Sequence, residues 1–500
     1  MKISCRSGQK FNVNQQLKIR LKTMALQPAQ TTNGKLSLGE KVGYSLGDLA
    51  ANLIFQTLVT FLAFFYTDVY GIPADKAAWI IFVGGVVGAC FTPVMGVIAD
   101  RTQTRWGKFR PWILWTSVPF GVVALMAFST PNLSADGKIF YALATYVLLV
   151  FIYSANNLPY AALSGVLTGN MAERNSLSSY RFVAVMIAQF VIQALLLPLV
   201  LWAGDGDKAS GFQTVMTWFA IVGTIFFIIT FLSTKERVIP APEQRSSILE
   251  DLTDLVKNKP WLIMLFTTTL VFVTLALKGG LYIFYFQHYA DAAAMTSFLN
   301  SIGFDRFSNT DDPAVATFSL FNASGIIFMI VGIGFSKFFA DKYGKRDTFM
   351  VSLVIATLFM LAFFFFDKTS IGSMFTSQIL HGFFYGITTP LLWAMIADVA
   401  DYSEWKNKRR ATAIIFSAMI FALKMGLSIG GALVAGLLSF YGYEAQAGVQ
   451  SPETIDGIRI SISIFASLPF LIGAALLFMY EINKPMEIRI EQELAARRSE

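Results

Sequence analysis

The stretch VGYSLGDLAANLIFQTLVTFLAFFYT, residues 42–67, contains one charged side chain, Asp48. About 20 mostly apolar residues suffice to cross a bilayer as a helix, and this run exceeds that length. Within it Tyr44, Asp48, Asn52 and Gln56 fall four residues apart, so they share one face of the helix. A carboxylate inside such a segment is expensive to bury and is therefore a functional candidate from the outset.

Outward from this segment, eleven more stretches of the same kind run over 76–99, 111–130, 138–165, 179–203, 212–233, 260–287, 313–338, 347–366, 371–398, 411–440 and 457–481. They are too long for barrel strands and do not alternate, so the chain reads as an all-α membrane protein with twelve transmembrane helices. Polar connectors such as PNLSADG (131–137), GDGDKASG (204–211) and DKTS (367–370) separate them. The implied layout is an N-terminal tail over 1–41, a six-helix bundle over 42–233, a charged linker over 234–259, a second six-helix bundle over 260–481 and a tail over 482–500. The first tail has no apolar core of the kind a signal peptide needs. Met24 is a candidate start, because ALQPAQTTNGKLSLGEK leads from it directly into the first span. The C-terminal MEIRIEQELAARRSE reads as a short amphipathic helix.

Composition agrees. Over 500 residues the chain is 55% hydrophobic and 14% charged, against roughly 25% charged in an ordinary soluble domain. Cys5 and Cys90 are the only cysteines, and His288 and His381 the only histidines. That leaves no disulfide framework, thiolate cluster, histidine zinc site or Ser–His–Asp triad, so neither an enzyme nor a cofactor is indicated. The net charge of +7 is explained by where the bases sit. Connectors after even-numbered spans, together with the adjoining helix ends, carry nineteen Lys and Arg, and the opposite connectors and helix ends carry six. This positive-inside bias places both termini in the cytoplasm, gives a multi-pass protein of the cytoplasmic membrane, and makes nucleic acid unnecessary as a partner.

Deep within the spans the ionisable residues are Asp48, Lys278 and Lys424. Polar and aromatic stripes accompany them: Tyr153, Asn156, Asn157 and Tyr160; Arg181, Gln189 and Gln193; Lys278, Tyr282 and Tyr285; Ser417, Lys424 and Ser428. Paired donors and acceptors beside aromatic rings suit a sugar, whose hydroxyls need hydrogen bonds and whose apolar face stacks. The same residues can also be glue between helices, and for Gln189 and Gln193 both readings stand. His381, Tyr385 and Thr388 form a further stripe, with a structural histidine set against a proton relay. At the cytoplasmic mouth, Asp398, Asp401, Glu404 and Arg410 lie opposite the cluster Asp100, Arg101, Arg105, Lys108 and Arg110. They read either as solvated loops or as ion pairs that close an inner gate and break on opening. Asp100-Arg101 with Gly107-Lys108, and Asp341-Lys342 with Gly344-Lys345, recur six helices apart, as in a transporter of two related halves.

Several segments together resemble the glycoside–pentoside–hexuronide:cation symporter family, the melibiose-permease-like branch of the major facilitator superfamily. They are GYSLGDLAANLIFQ (43–56), FFYTDVYG (64–71), DRTQTRWGKFRPWILW (100–115), NNLPYAAL (156–163), KNKPWL (257–262) and ADVADYSEWKNKRR (397–410). The resemblance covers roughly residues 38–484. It implies two six-helix bundles, alternating access, and transport of a sugar or glycoside coupled to sodium, protons or lithium. It also implies that the positions of Asp48 and Asn157 line the sugar pocket and that Arg181 lies near it. The expected substrate-binding set is Asp48, Asn52, Tyr153, Asn157, Tyr160, Arg181, Lys278 and Lys424.

The sequence departs from this pattern in helix two. Where the family's cation-coupled members carry two carboxylates before Pro93-Val94-Met95-Gly96, this chain has Gly88 and Thr92. Gly84, Gly88, Thr92 and Gly96 instead form a small residue at every fourth position, a close-packing face. Lys424 matches a family lysine that lies beside those acids; here Asp48, a substrate carboxylate or deprotonation would have to answer for its unpaired charge. The expectation is a sugar, glycoside or uronide transporter of the symporter type, monomeric, whose coupling ion (sodium or a proton) would have to be held without helix-two acids. Alternatives are an uncoupled facilitator, a proton symporter working through Asp48, a lysolipid carrier of related fold and a sugar sensor that does not transport.

Overall fold

The computed structural model describes residues 35–168, 170–237, 256–304, 312–407, 412–445, 447 and 449–499. Met24, most of the linker and Arg410 lie outside these residues, as does the side chain of Asp100. Among the described residues twelve helices are long and apolar enough to cross a membrane. They are α1 (Leu38–Val69), α2 (Ala74–Ala99), α3 (Arg110–Ala127), α4 (Ala135–Leu167), α5 (Ser176–Ala203), α6 (Lys208–Ser233), α7 (Lys259–His288), α8 (Pro313–Tyr343), α9 (Lys345–Phe364), α10 (Ile371–Lys406), α11 (Ile415–Phe440) and α12 (Pro452–Leu477). A further helix, α13 (Lys484–Ser499), follows them.

Helix ends differ from the hydropathy limits for local reasons. α1 begins at Leu38, ahead of the expected residue 42, because Ser37 and Glu40 form a reciprocal capping box. α12 begins at Pro452 rather than 457, since Ser451 caps it and proline suits a first turn. α10 continues well past Asp398, because backbone hydrogen bonding does not stop where polarity rises. α13 lies against α10, where Trp405 Nε1 donates to Glu493 at 2.6 Å. The expected 482–500 tail is therefore a docked helix.

Neighbouring helices pair in the same way in both halves. α1 packs on α5 and α6, α2 on α4, and α3 on α4 and α6; likewise α7 packs on α11 and α12, α8 on α10, and α9 on α10 and α12. The α2–α4 contact uses the small-residue face. The ring of Tyr146 occupies the space of a Gly84 side chain, and a Cβ on Gly88 would stand 2.8 Å from Val150. Between the halves, α2 meets α11, α1 meets α7, and a π-helical turn of α5 (Val191–Leu195) meets α8. That turn leaves the Gln193 carbonyl open to Asn322 Nδ2 at 3.3 Å.

An even number of spans puts Leu38 and α13 on one face, called here the terminal face; the other is the far face. The halves are joined toward the far face. Tyr443 donates to Asp68 at 2.5 Å, Phe64 meets Phe284 edge-on at 5.8 Å and Phe61 meets Phe318 at 5.9 Å. Toward the terminal face α2 and α11 part around a cavity of about 1020 Å³, between Thr92, Gly96 and Val97 on one side and Ser417, Ile420 and Phe421 on the other. The conformation is closed at the far face and open at the terminal face.

Candidate functional site

α1 and the α5 helix, which begins at Met171, both start at the terminal face. Asp48 and Arg181 each lie ten residues in, about 15 Å along the axis. That common depth lets them meet: Arg181 Nε donates to Asp48 Oδ2 at 2.9 Å. Asn52, one turn on from Asp48, donates from Nδ2 to Asp48 Oδ1 at 3.2 Å. The Arg181 guanidinium lies over the rings of Tyr160 and Tyr44, at 5.3 and 5.8 Å. Those rings stack on each other at 4.5 Å, and each hydroxyl donates to the other residue's carbonyl. Gly47 lets the Tyr160 ring approach this closely. Tyr160, one of the expected substrate-binding residues, gives its hydroxyl to the Tyr44 carbonyl and its ring to the Arg181 guanidinium. Tyr44 is therefore part of the same unit.

A cavity of about 750 Å³ lies between α1, α2, α4, α7 and α11, bordered by Phe55, Tyr153, Ser154, Gly85, Gly88, Lys424 and Ser428 among others. Phe55 stacks on Tyr153 at 5.1 Å, which gives the cavity an aromatic wall. The ammonium of Lys424 donates to Thr92 Oγ1 at 2.7 Å and to Ser154 Oγ at 3.3 Å, and lies 5.6 Å from the centre of the Tyr153 ring. The new partners of this lysine are thus neutral hydroxyls from α2 and α4 and a π face, with no carboxylate among them. Asn157 is half-buried on α4, on the turn between Tyr153 and Tyr160, and makes no hydrogen bond among the described residues. Its neighbour Asn156 is glue, donating to Thr116 on α3 at 2.8 Å.

Lys278 stands apart from both groups. It borders a separate cavity with Gln189, Gln193, Tyr282, Asn322, Gln378, His381 and Tyr385. Tyr285, expected on the same stripe, instead stacks on Tyr289 at 4.8 Å in an aromatic cluster.

At the terminal face the structure does not bring Asp398 to the basic loop. Asp398 accepts from Lys345 at 2.7 Å within its own half, and Glu487 of α13 pairs with the same lysine. The basic loop is organised by Glu236, at the end of α6, whose carboxylate accepts from the backbone N–H groups of Lys108, Phe109 and Arg110 at 2.8–2.9 Å. This caps α3 with negative charge. Arg110 donates to the carbonyls of Trp106 and Phe231, and Arg105 lies over the Trp106 ring. Arg101 closes the helix that contains α2. Asp401 and Glu404 project from the last turns of α10, and each has a partner. Lys41 pairs with Glu173 at 2.9 Å, and this hydrogen bond holds the Glu173 carboxyl below the usual range.

Sequence reasoning passed over Ser154, Glu236 and Tyr443. Ser154 falls one position after Tyr153 on a stripe that was noticed, but nothing in the chain marks it as facing Lys424.

The fold and this interior define a secondary transporter of the major facilitator type rather than an enzyme. The chain belongs to the MFS/sugar transport protein family, which matches residues 43–304 and 312–484. It is 35% identical to the inner membrane symporter YicJ of Escherichia coli (strain K12) over 89% of this chain and 92% of that protein. It is 30% identical to the isoprimeverose transporter of Lactiplantibacillus pentosus over 92% of each chain. Among solved structures, the nucleoside transporter NupG (D323A mutant) superposes with a TM-score of 0.60 at 14% identity, covering 89% of this chain and all of that one, and shows the fold.

Proposed function

We propose that this protein carries a sugar, glycoside or uronide across the inner membrane by alternating access, with both termini in the cytoplasm and the described conformation open inward. The observation that carries the reading is the Asp48–Arg181–Asn52 cluster, an ion pair and an amide held by stacked tyrosines on the polar face of α1. A sugar diol fits such a pair, one hydroxyl donating to the carboxylate while its oxygen accepts from the guanidinium. Phe55 and Tyr153 offer rings for the apolar face of a pyranose. The similarity to the isoprimeverose transporter of Lactiplantibacillus pentosus supports the substrate class.

The position of Lys424 favours a second, mechanistic reading, transport without sodium. A cation at Thr92 and Ser154 would share its oxygens with an ammonium already 2.7 Å from Thr92, and like charges at that range repel strongly in a desolvated site. Counterflow in proteoliposomes, with neutral sugars and uronides and with or without sodium, tests both readings. Exchange of at least one sugar independent of sodium is expected. Absence of exchange for every member of the panel would remove sugar transport, and strict sodium dependence would remove the uncoupled mechanism.

A further inference from the structure

Gly280 on α7 borders the Lys424 cavity, whereas Leu275, Lys278, Gly279 and Tyr282 border a different one, of about 490 Å³, between α5, α7, α8 and α10. No acid lines it. Among the described residues the Lys278 ammonium has no hydrogen-bond or ion-pair partner; it lies 5.6 Å from the centre of the Tyr282 ring. A positive charge so placed in a membrane protein is unfavourable without a counter-charge.

Two acceptors in the same cavity are also unpaired. His381 is 2% exposed, and its Nδ1 stands 2.9 Å from the Ala356 carbonyl. A carbonyl only accepts, so Nδ1 carries the proton and the lone pair lies on Nε2, which is buried with no partner. Gln378, one turn earlier and 3% exposed, has its Oε1 buried and unpaired as well. Buried polar groups are ordinarily satisfied, and each that is not costs free energy. An unpaired cation and two unpaired acceptors around one cavity are complementary to a single kind of group. That group is an anion that also carries hydroxyl donors.

The cavity reaches across the two halves, since Gln189 and Gln193 of α5 form its opposite wall. Gln189 lies eight residues beyond Arg181 on the same α5 face, about 12 Å along the axis. That is about the span of two linked sugar rings.

We infer that the Lys278–Gln378–His381 pocket is a second ligand subsite, which takes a hydroxyl-bearing anionic group at the far end of a substrate whose other end lies at Asp48 and Arg181. Anionic oxygens accept from Lys278, and neighbouring hydroxyls donate to His381 Nε2 and Gln378 Oε1. The inference rests on the sugar-transport reading and adds to it where the acidic end sits and which residues choose it.

The test is equilibrium binding to the full-length protein in lipid nanodiscs. The probes are matched pairs of mono- and disaccharides that differ by one CH2OH oxidised to carboxylate, such as cellobiose and cellobiouronate. Wild type should prefer the acidic disaccharide. In Lys278→Gln the acidic-to-neutral affinity ratio should fall by about tenfold or more. It should be retained in Lys278→Arg, which keeps the charge, whereas Gln378→Leu, which removes an acceptor for hydroxyls that both members of a pair carry, should weaken both and leave the ratio in place. Asp48→Asn should weaken both members of a pair. An unchanged ratio in Lys278→Gln, or a wild type that prefers the neutral member throughout, would mean that the pocket holds only water and would overturn the inference while leaving sugar transport standing. Failure of every sugar to bind would defeat both.

Discussion

Removing the Tyr443 hydroxyl should open the far face. This hydroxyl donates across the two halves to Asp68 Oδ1 at 2.5 Å and lies 3.3 Å from His288 Nε2. A hydrogen bond to a charged group contributes roughly 1.5–3 kcal/mol. Tyr443→Phe leaves the ring contacts to Phe284 and His288 in place, at 5.2 and 5.4 Å. Asp68 also keeps its bond from Thr67 Oγ1 at 2.5 Å, and once the face opens water solvates it. These offsets bring the net effect near the lower end of the range, about 1.4 kcal/mol, or a tenfold rise in the ratio of far-face-open to far-face-closed molecules. Asp68→Asn preserves the geometry but makes the bond neutral and about half as strong, so a shift of about threefold is expected. Spin labels at Asp136→Cys and Glu453→Cys report the change, because both positions are exposed at far-face helix starts on opposite halves. Cys5 and Cys90 would first be replaced by serine. Distance distributions that are superimposable in wild type, Tyr443→Phe and Asp68→Asn would refute the latch.

Three further outcomes are expected. Asp48→Asn leaves Arg181 without its counter-charge, and losing one member of a buried charge pair costs about 2–5 kcal/mol; sugar affinity measured by calorimetry should fall at least about thirtyfold, and near-normal binding would take Asp48 out of the site. Exchanging sodium for potassium should change sugar affinity by less than about threefold, a coupling below roughly 0.7 kcal/mol, and tenfold tightening in sodium would reveal a cation site that Lys424 does not fill. The Lys41 hydrogen bond depresses the Glu173 carboxyl, so its stabilisation is complete above the ordinary glutamate value of about 4.3 and is lost as pH falls through the lowered one. Melting curves of wild type and Glu173→Gln should therefore converge as pH falls below the ordinary glutamate value of about 4.3; a gap that stayed constant as the carboxyl is protonated would contradict the assignment.

The spans were legible because bilayer thickness imposes a length and a composition on each one, whatever its neighbours are. The partnership of Asp48 with Arg181 was half-legible. The stripe on α1 and the basic residue near the start of α5 could both be seen, but only their equal depth from one face shows that they meet. The partners of Lys424 could not be read at all. The family resemblance implies that acids are missing from helix two, yet Thr92 and Ser154 are ordinary hydroxyl residues whose meaning depends on an approach between α2, α4 and α11. The π turn at Val191–Leu195 is equally silent in the sequence, although it frees the carbonyl that ties α5 to α8.

The terminal-face charges are a different case, because a transporter's sequence has to encode more than one structure. Asp398 and the Arg101–Arg110 loop lie on the same face, and their signs are complementary. In the conformation described, however, Asp398 and the backbone of the basic loop are each held within their own half. Lys345 holds Asp398, and Glu236 caps the basic loop. A pair between Asp398 and the loop that forms only when the terminal face closes would have to compete with Lys345, so on the Asp398 side it would exchange one charge-assisted bond for another. The net difference between two such bonds is small even when each bond is strong. Two conformations of similar free energy are what alternating access requires. Glu236 is tied to the backbone of that loop through Lys108, Phe109 and Arg110, so movement of the loop toward Asp398 would have to break these bonds or carry the segment after α6 with it.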